Sequence, residues 1–408
     1  MIGILADDVT GATDVAAAVR RCGARTLLAF TAELDDFRAD TDVVVIGLKT
    51  RTLPVTQAVQ QSLAALETLQ RIGADRFYLK YCSTFDSTAQ GNIGPITDAI
   101  ADRLGSGLVV TTPSAPDHGR TVYCGHLFVD DTPLDETHMR EHPLTPMTDS
   151  SVVRLLQAQT SHPVGLLALS TVRSGTRAVR RAMEAAERNG IRHLVADATE
   201  RADLETIAAA LSDAELVGGS AGLAEMITSR NEHSDGSADF DVDTLAAGAI
   251  IAGSCSARTL SQIAAFIAAG GRHYRLDTSL SREPELLAEA ALRWFDGQPA
   301  RPVLIHSSQS VDQRHQDSIV SEVYEAAAGL IARGLLDRSV KKFLVAGGET
   351  SGAVIAALDI RATTVGAEAA PGVPWIRDTA RGIDLILKSG NFGGPTFFTD
   401  TFPPGAQG

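Results

Sequence analysis

The sequence predicts an α/β fold with two domains, each a mostly parallel sheet flanked by helices, with the active site in the cleft between them. Short apolar runs alternate with helical segments along almost the whole chain, which is the rhythm of βαβ units. The length of 408 residues is too great for one ordinary domain. One acidic stretch with few apolar residues, 231–244, interrupts the rhythm and is typical of a linker.

The first predicted domain, residues 1–230, contains eight short apolar runs bounded by turn residues, and we expect each to form a strand. These runs are Met1–Ala6, Arg25–Phe30, Asp42–Leu48, Phe77–Tyr81, Leu108–Thr112, Val164–Leu169, His193–Ala196 and Leu216–Gly219. Six segments between them have apolar residues at helical spacing. They are Gly11–Arg21, Val55–Ile72, Ile93–Leu104, Ser150–Gln159, Ala178–Asn189 and Ala202–Leu211.

Residues 119–149 break this pattern. The segment is polar, contains three prolines and has a hairpin-like centre at Val122–Pro133. We expect an excursion from the sheet that shapes or covers a site.

The second predicted domain, residues 245–408, repeats the alternation. Its predicted strands are Ala249–Ala252, Arg272–Leu276, Val303–His306, Phe343–Ala346 and Ile383–Lys388. Its predicted helices are Thr259–Gly270, Glu285–Asp296, Asp317–Arg333 and Gly352–Leu358.

The composition excludes several classes of protein. Hydrophobic residues make up 44% and charged residues 21%, which suits globular cores. The net charge of -14 argues against a nucleic-acid partner, and no apolar run reaches the roughly 18–20 residues of a membrane span. The N-terminus lacks the pattern of a signal peptide and the four cysteines are widely spaced, so we expect a cytoplasmic protein with reduced thiols. A homo-oligomer remains open.

Polar clusters directly after strands are the candidate sites, because ligands bind beyond the carboxyl ends of strands in open parallel sheets. The first cluster contains Asp7 and Asp8, followed by Thr10 and Asp14. Adjacent strand side chains point in opposite directions, so one carboxylate can accept a proton from a substrate hydroxyl while the other orients a neighbour. Helix capping is the simpler explanation, although capping alone does not need three carboxylates.

Two further clusters follow strands in the first domain, and they combine positive charge with hydroxyl groups. A lysine and an arginine suit a carboxylate, while hydroxyls and an aspartate suit a polyol; a solvated loop is the alternative. The candidate substrate-binding residues are Thr10, Asp14, Lys49, Arg51, Lys80, Ser83, Thr84 and Asp86.

Three turns rich in small residues characterise the second domain, at 253–256, 346–352 and 388–394. Small residues between a strand and a helix expose backbone amides beside a helix N-terminus, and this geometry receives phosphate. Ordinary turn chemistry explains any one of them, but three in one domain favour a nucleotide pocket. The P-loop and dinucleotide-binding signatures are both missing. Carboxylates in one domain and phosphate-binding turns in another fit phosphoryl transfer, which normally uses Mg²⁺.

At these residues the sequence resembles the four-carbon acid sugar kinase family over nearly its whole length. The segment from Ala6 to Asp14 is similar to the N-terminal signature of the family, and the three turns are similar to its nucleotide-site motifs. The resemblance implies that the first domain binds a sugar acid and the second binds ATP with Mg²⁺, for which no dedicated protein site is identified. The implied ATP contacts are Ser254 or Ser256, Gly347, Gly348, Glu349, Thr350 and Gly390.

Within the family, residues 80–95, 119–123 and 142–147 resemble the branch that phosphorylates the C4 hydroxyl of 3-oxo-tetronate to give the 4-phosphate and ADP. Relatives that act on threonate or erythronate are the alternative. In this interpretation, Asp8 or Asp7 is the catalytic proton acceptor, and Lys80 and Arg51 hold the carboxylate end of the substrate.

Two readings from other classes compete with a kinase. An aspartyl phosphatase would have D-x-D-x-T after the first strand, but the order here is D-D-x-T. A non-catalytic sugar-acid sensor would also use two α/β lobes, and it would bind the acid without needing ATP.

Overall fold

A computed structural model of the chain describes residues 1–34, 41–142, 145–229, 240, 242, 248–278, 281–298, 302–307 and 318–404. Its internal contacts divide the chain into two compact units, Met1–Ser237 and Ala238–Gly408. Most of the predicted linker at 231–244 lies outside the described residues, so the predicted boundaries at 230 and 245 stay predictions.

The first unit is built on a sheet of eight parallel strands, and the predicted parallel sheet is confirmed here. Its strands are β1 (Ile2–Ala6), β2 (Thr26–Ala29), β3 (Val43–Gly47), β4 (Arg76–Lys80), β5 (Val109–Thr112), β9 (Val164–Leu167), β10 (His193–Ala196) and β11 (Leu216–Gly219). They are ordered β2-β3-β1-β4-β11-β5-β10-β9. Strands β1 and β3 are buried along their whole length, as expected of central parallel strands that are covered on both faces.

Among the described residues of this unit, eight α-helices flank the sheet. They are α1 (Val9–Arg21), α2 (Val55–Arg71), α3 (Ile93–Leu104), α4 (Val152–Gln157), α5 (Leu169–Arg173), α6 (Thr176–Arg188), α7 (Arg201–Ala210) and α8 (Ala221–Ser229). Helix α1 begins two residues before the predicted start at Gly11, because the Asp8 side chain caps it by accepting a hydrogen bond from the Gly11 amide. Its alanine-rich face is almost fully buried, which is where small side chains allow close packing.

The predicted excursion at 119–149 forms a small antiparallel sheet. Strands β6 (Arg120–Tyr123) and β7 (His126–Val129) pair as a hairpin, and β8 (Thr132–Pro133) adds to β7. The hairpin turns through Cys124 and Gly125, which both have positive φ, at 51° and 75°, as a two-residue turn with the twist of a hairpin requires. Apolar residues of the excursion pack on Tyr81 and Phe85, which lie in the segment after β4.

The second unit has a mixed sheet of the strands β12 (Ala249–Ala252), β13 (Arg272–Arg275), β14 (Val303–His306), β15 (Lys342–Ala346), β16 (Ala362–Ala370), β17 (Val373–Asp378) and β18 (Ile383–Lys388). They are ordered β13-β14-β12-β15-β18-β17-β16. The first five strands in this order are parallel, and β17 and β16 are antiparallel. The sequence analysis did not predict the β16–β17 hairpin.

In the described part of this unit there are five helices: α9 (Ala257–Ala268), α10 (Pro284–Asp296), α11 (Ser318–Asp337), α12 (Gly348–Ala357) and α13 (Phe397–Thr401). The predicted start of the fourth of these, at Gly352, is wrong. Helix α12 begins at Gly348, so Glu349 and Thr350 lie in its first turn instead of in a loop.

Aromatic residues fill the core of the second unit. Phe266, Phe397, Phe398 and Phe402 cluster with Trp375, whose ring meets that of Phe402 edge to face at 6.2 Å. None of the helices in the described part of the chain is both long enough and apolar enough to cross a membrane.

Candidate active site

The carboxyl ends of β1, β3 and β4 meet in the first unit, and the backbone ties the loops that follow them together. The Asp7 amide donates to the Lys80 carbonyl at 3.0 Å, while the amides of Thr50 and Arg51 both donate to the Asp7 carbonyl at 3.0 and 3.2 Å. The first two predicted clusters and the Lys49–Arg51 segment therefore lie side by side at one edge of the sheet.

Arg51 links the two adjacent carboxylates. Its guanidinium donates two hydrogen bonds to Asp7, at 2.8 and 3.0 Å, and one to Asp8, at 2.8 Å. A third carboxylate, Asp86, lies 3.6 Å away. Arg51 was predicted to bind a substrate carboxylate, but in this structure it is surrounded by carboxylates of the protein.

Asp7 and Asp8 have different electrostatic environments. Burial raises the pKa of Asp7, despite the opposing charge of Arg51. Burial would also raise the pKa of Asp8, but Arg51, Lys80 and hydrogen bonds from Thr10 and Gly11 together lower it below its usual value. The Asp8 side chain is 20% exposed and that of Asp7 only 7%, so Asp8 is the more accessible of the two.

The region around Asp8 leaves no room for a side chain at Gly11. A Cβ atom there would lie 2.2 Å from Asp8 Oδ1 and 3.1 Å from Lys80 Nζ. Thr10, a predicted substrate-binding residue, is buried and donates to Asp8 Oδ2 at 2.7 Å. The contacts that cap helix α1 are therefore the same contacts that hold Asp8 in position. Helix capping and a functional role for Asp8 are compatible.

Lys80 and Asp14 form the other charged pair of this cluster. Lys80 Nζ lies 3.9 Å from Asp14 Oδ2 and donates to the Tyr81 carbonyl at 2.9 Å. Burial raises the pKa of Asp14, against the lowering effect of Lys80 and His118. The exposed Lys49 lies in the same loop as Arg51.

The segment after β4 turns back toward Arg51. Phe85 and Asp86 both have positive φ, at 65° and 43°, a conformation that non-glycine residues rarely adopt outside constrained sites. Thr84 donates to Asp86 Oδ1 at 2.6 Å and contacts the Cys82 thiol. Ser83, between them, is partly buried.

Two residues beside this cluster were missed by sequence reasoning. Asn92 Nδ2 donates to the carbonyls of Thr50, Arg51 and Leu53, so one side chain fixes the loop that carries Arg51. His142, from the excursion, is close enough to feel the charges of Asp86 and Arg51, and burial lowers its pKa. Both lie in segments that had been singled out, but a single sequence carries no signal for their contacts.

Three turns meet at the carboxyl ends of β12, β15 and β18 in the second unit. The amides of Gly253 and Ser254 donate to the Ala346 carbonyl, and the Gly347 amide donates to the Lys388 carbonyl. A Cβ atom on Gly253 would lie 2.1 Å from Thr350 Oγ1. The three predicted phosphate-binding turns are thus packed against one another.

The two serines of the first turn have different contacts. Ser256 caps α9 by accepting from the Thr259 amide, and it donates to the Gly390 carbonyl at 2.6 Å. Ser254 Oγ accepts from the Ser256 amide at 3.2 Å. A Cβ atom on Gly390 would lie 2.5 Å from Ser254 Oγ, so Gly390 must be small for these turns to meet.

Helix α12 presents its N-terminus at the same edge. Its N-cap residue, Gly347, has φ of 130° and offers no side-chain hydrogen bond to the first turn. The first amides of a helix lack partners within the helix. Those of Gly348, Glu349 and Thr350, together with the positive end of the helix dipole, therefore suit an anion such as phosphate.

Comparisons with known proteins match both units of the chain. A family model described as a sugar-binding N-terminal domain matches residues 2–227, and one described as a nucleotide-binding C-terminal domain matches residues 249–398. Proteins from Pseudomonas fluorescens and Cupriavidus necator, both named 3-oxo-tetronate kinase, are each 41% identical to this chain. Each alignment covers 98% of this chain and 96% of the relative.

Solved structures agree as well. A Haemophilus influenzae protein has a TM-score of 0.77 at 35% identity, with 98% of each chain covered. A Salmonella typhimurium LT2 protein described as a tRNA synthase has a TM-score of 0.84 at 37% identity, again with 98% of each chain covered.

The fold and the two clusters define a class of protein in which a sugar-binding α/β domain precedes a nucleotide-binding α/β domain. The chain belongs to the four-carbon acid sugar kinase family.

Proposed function

We propose that this chain is an ATP-dependent kinase that phosphorylates the C4 hydroxyl of 3-oxo-tetronate, giving 3-oxo-tetronate 4-phosphate and ADP. The observation that carries the proposal is the pair of prearranged clusters, one of carboxylates and cations, the other of three phosphate-binding turns. Curated relatives named 3-oxo-tetronate kinase, 36–41% identical over almost the whole chain, support the same substrate. A cytoplasmic location fits such a metabolic enzyme.

In the first cluster we propose Asp8 as the proton acceptor. The C4 oxygen would attack the γ-phosphorus of ATP as its proton passes to Asp8, and the bond between the γ-phosphorus and the β–γ bridging oxygen would break to release ADP. A low pKa does not disqualify Asp8, because phosphoryl transfer depends mainly on positioning and charge stabilisation. Asp7 accepts two hydrogen bonds from Arg51, and we propose that its role is to position this arginine.

The remaining polar side chains of the cluster would bind the substrate. Lys80, with Arg51 and Lys49, supplies positive charge for the carboxylate end, and Asp14, Asp86, Ser83 and Thr84 offer oxygen atoms to the hydroxyl groups. Thr10 contributes through Asp8, to which it donates.

In the second cluster, backbone amides would bind the phosphates of ATP. They belong to Gly347, Gly348, Glu349 and Thr350 and to the Gly390 turn, with Ser254 as the serine that contacts ATP and Ser256 as the one that joins the turns. Mg²⁺ would neutralise phosphate charge. Among the described residues no group of three or more His, Cys, Asp or Glu side chains could hold a metal ion. Glu349 is the carboxylate that these turns would offer to Mg²⁺.

A coupled ADP-release assay tests the function. Mg-ATP is supplied with 3-oxo-tetronate, D-threonate, L-threonate or D-erythronate, and we expect fast turnover on 3-oxo-tetronate alone. Preference for a threonate or erythronate would support the proposed kinase activity and contradict the proposed substrate. Binding of the acid without any ADP release would favour a sensor.

Other classes fit less well. An aspartyl phosphatase would have D-x-D-x-T after the first strand, whereas the order here is D-D-x-T. A tRNA synthase, as the Salmonella typhimurium structure is described, would need a basic surface that a chain of net charge -14 is poorly suited to provide.

A further inference from the structure

Lys388 is a buried lysine that the proposed function has not used. It is the last residue of β18, directly before the turn that contains Gly390. The residue is 1% exposed. The sequence has only five lysines among 36 basic residues, so a lysine in the interior of the nucleotide-binding unit calls for an explanation.

The amine of Lys388 is bonded only to neutral oxygens in the part of the chain that the structure describes. Nζ donates to Thr259 Oγ1 at 3.0 Å and to the Gly390 carbonyl at 3.3 Å. Nζ also lies over the ring of Phe398, 5.8 Å from its centroid. No ion pair with a carboxylate is present among the described residues, and the charged group that bears on the amine is Arg258, on the first turn of α9.

A neutral amine satisfies this environment better than an ammonium does. A neutral amine has two hydrogens, which match the two acceptors, whereas an ammonium has three and carries a charge into an apolar interior. Burial and repulsion by Arg258 lower the pKa of Lys388 to about 7.

The position of the amine makes it sensitive to phosphate. The Gly390 carbonyl also accepts from Ser256 Oγ at 2.6 Å and from Thr259 Oγ1 at 3.0 Å. Lys388 thus belongs to the hydrogen-bond network that joins the turns proposed to bind ATP. A polyphosphate at these turns would bring the negative charge that the amine lacks in the free protein, and an added negative charge favours the ammonium form.

We propose that nucleotide binding draws one proton from bulk solvent onto the Lys388 amine, and that the resulting ammonium holds the Gly390 turn against the bound phosphates. Lys388 is then a positioning residue. The inference rests on the proposed function, because it needs a nucleotide at these turns.

Isothermal titration of the full-length protein with Mg-ADP tests the inference. The titration is run in two buffers of different ionisation enthalpy, which gives the number of protons taken up per ADP bound. For a group that titrates near pH 7 when free, we expect uptake of about 0.1 proton at pH 6 and about 0.9 at pH 8. The dissociation constant of Mg-ADP should rise about tenfold between these pH values.

Three variants distinguish proton uptake by Lys388 from proton uptake by other groups. Lys388→Met removes the titrating group at similar size, and Lys388→Arg keeps a cation that does not titrate; both should abolish the pH-dependent uptake. Lys341→Met is the matched control, because Lys341 lies at the surface of the same unit and donates to the Arg381 carbonyl. It should behave as the unmodified protein does.

The outcomes are distinguishable. Intact ADP binding with the same uptake in Lys388→Met overturns the inference and leaves the proposed function standing. Uptake by the unmodified protein that does not increase between pH 6 and pH 8 overturns it even if both Lys388 variants fail to fold. If the unmodified protein does not bind Mg-ADP at all, the proposed function and this inference both fall.

Discussion

The charged and polar residues of the first cluster form hydrogen bonds and ion pairs with one another in the absence of substrate. Arg51 joins Asp7 to Asp8, and Thr10 and Gly11 donate to Asp8 as well. Burying charges is costly unless they are paired and hydrogen-bonded, and here each carboxylate has such partners. The consequence is a preorganised cluster, in which the loss of one charge disturbs the others.

Replacing Asp8 with asparagine tests its role as proton acceptor. Asparagine is as good an N-cap as aspartate, so helix α1 should remain intact while the negative charge is lost. We expect kcat to fall by about 10²- to 10⁴-fold, with the dissociation constant of Mg-ADP unchanged.

The matched control is Asp149→Asn, which removes a carboxylate that pairs with Arg154. It should keep normal turnover. Near-normal kcat in Asp8→Asn, with a normal melting temperature, would show that Asp8 is not the base.

The thiols offer a second prediction at this scale. Burial raises the pKa of Cys22 to about 11 and that of Cys82 to about 12, so both stay protonated, and therefore unreactive, at pH 8. Cys124 is exposed. Brief iodoacetamide treatment at pH 8 followed by peptide mass spectrometry should label Cys124 ahead of the other two. Faster labelling of Cys82 would mean that the segment after β4 opens in solution.

At the scale of elements, the sequence predicted the strands better than the turns. The bounds of β10, β11, β12, β14 and β18 were predicted without error, because each is a short, mostly apolar segment bounded by turn or polar residues. The β16–β17 hairpin was missed, since its first strand is rich in alanine, threonine and glycine, residues that give no clear period. Helix α12 was started too late, because its first turn reads as a glycine-rich loop.

Strand ends alone located the candidate residues but not their partners. The rule that ligands bind beyond the ends of parallel strands was enough to predict that Asp7, Arg51 and Lys80 lie close together. The Asn92 contacts with the loop at 50–53 depend on where the N-terminus of α3 lies relative to that loop, and no local sequence pattern indicates that placement. The function of each residue therefore stays a prediction even where its position is described.

The Gly390 turn provides a test at this scale. In Gly390→Ala the new methyl group would lie 2.5 Å from Ser254 Oγ and 3.0 Å from Ser256 Cβ, which forces the turns apart. We expect Mg-ADP binding to weaken at least about tenfold, the equivalent of roughly 1.4 kcal/mol.

Gly394→Ala is the matched control, because a Cβ atom there has nothing within 4 Å. Its Mg-ADP affinity should stay within about twofold of normal. Equal losses in the two variants would show that the contact with the serines is not what the turn requires.

For the whole molecule, the two units should respond to different ligands. Hydrogen–deuterium exchange followed by mass spectrometry can map protection by Mg-ADP and by 3-oxo-tetronate separately on the full chain. We expect Mg-ADP to protect segments 253–256, 347–350 and 388–391, and the sugar acid to protect 7–14 and 49–51, because bound ligands slow local opening.

Mg²⁺ alone is the control for the nucleotide. Protection by Mg-ADP confined to the first unit would reverse the assignment of the two sites.

The aromatic core of the second unit has an optical consequence. Both tryptophans of the chain, Trp294 and Trp375, lie in that unit, Trp294 near the ring of Tyr274 and Trp375 against Phe402. The first unit contains tyrosines but no tryptophan. Intrinsic tryptophan fluorescence therefore comes from the second unit alone. A change in this fluorescence on adding nucleotide would report on that unit without an added dye.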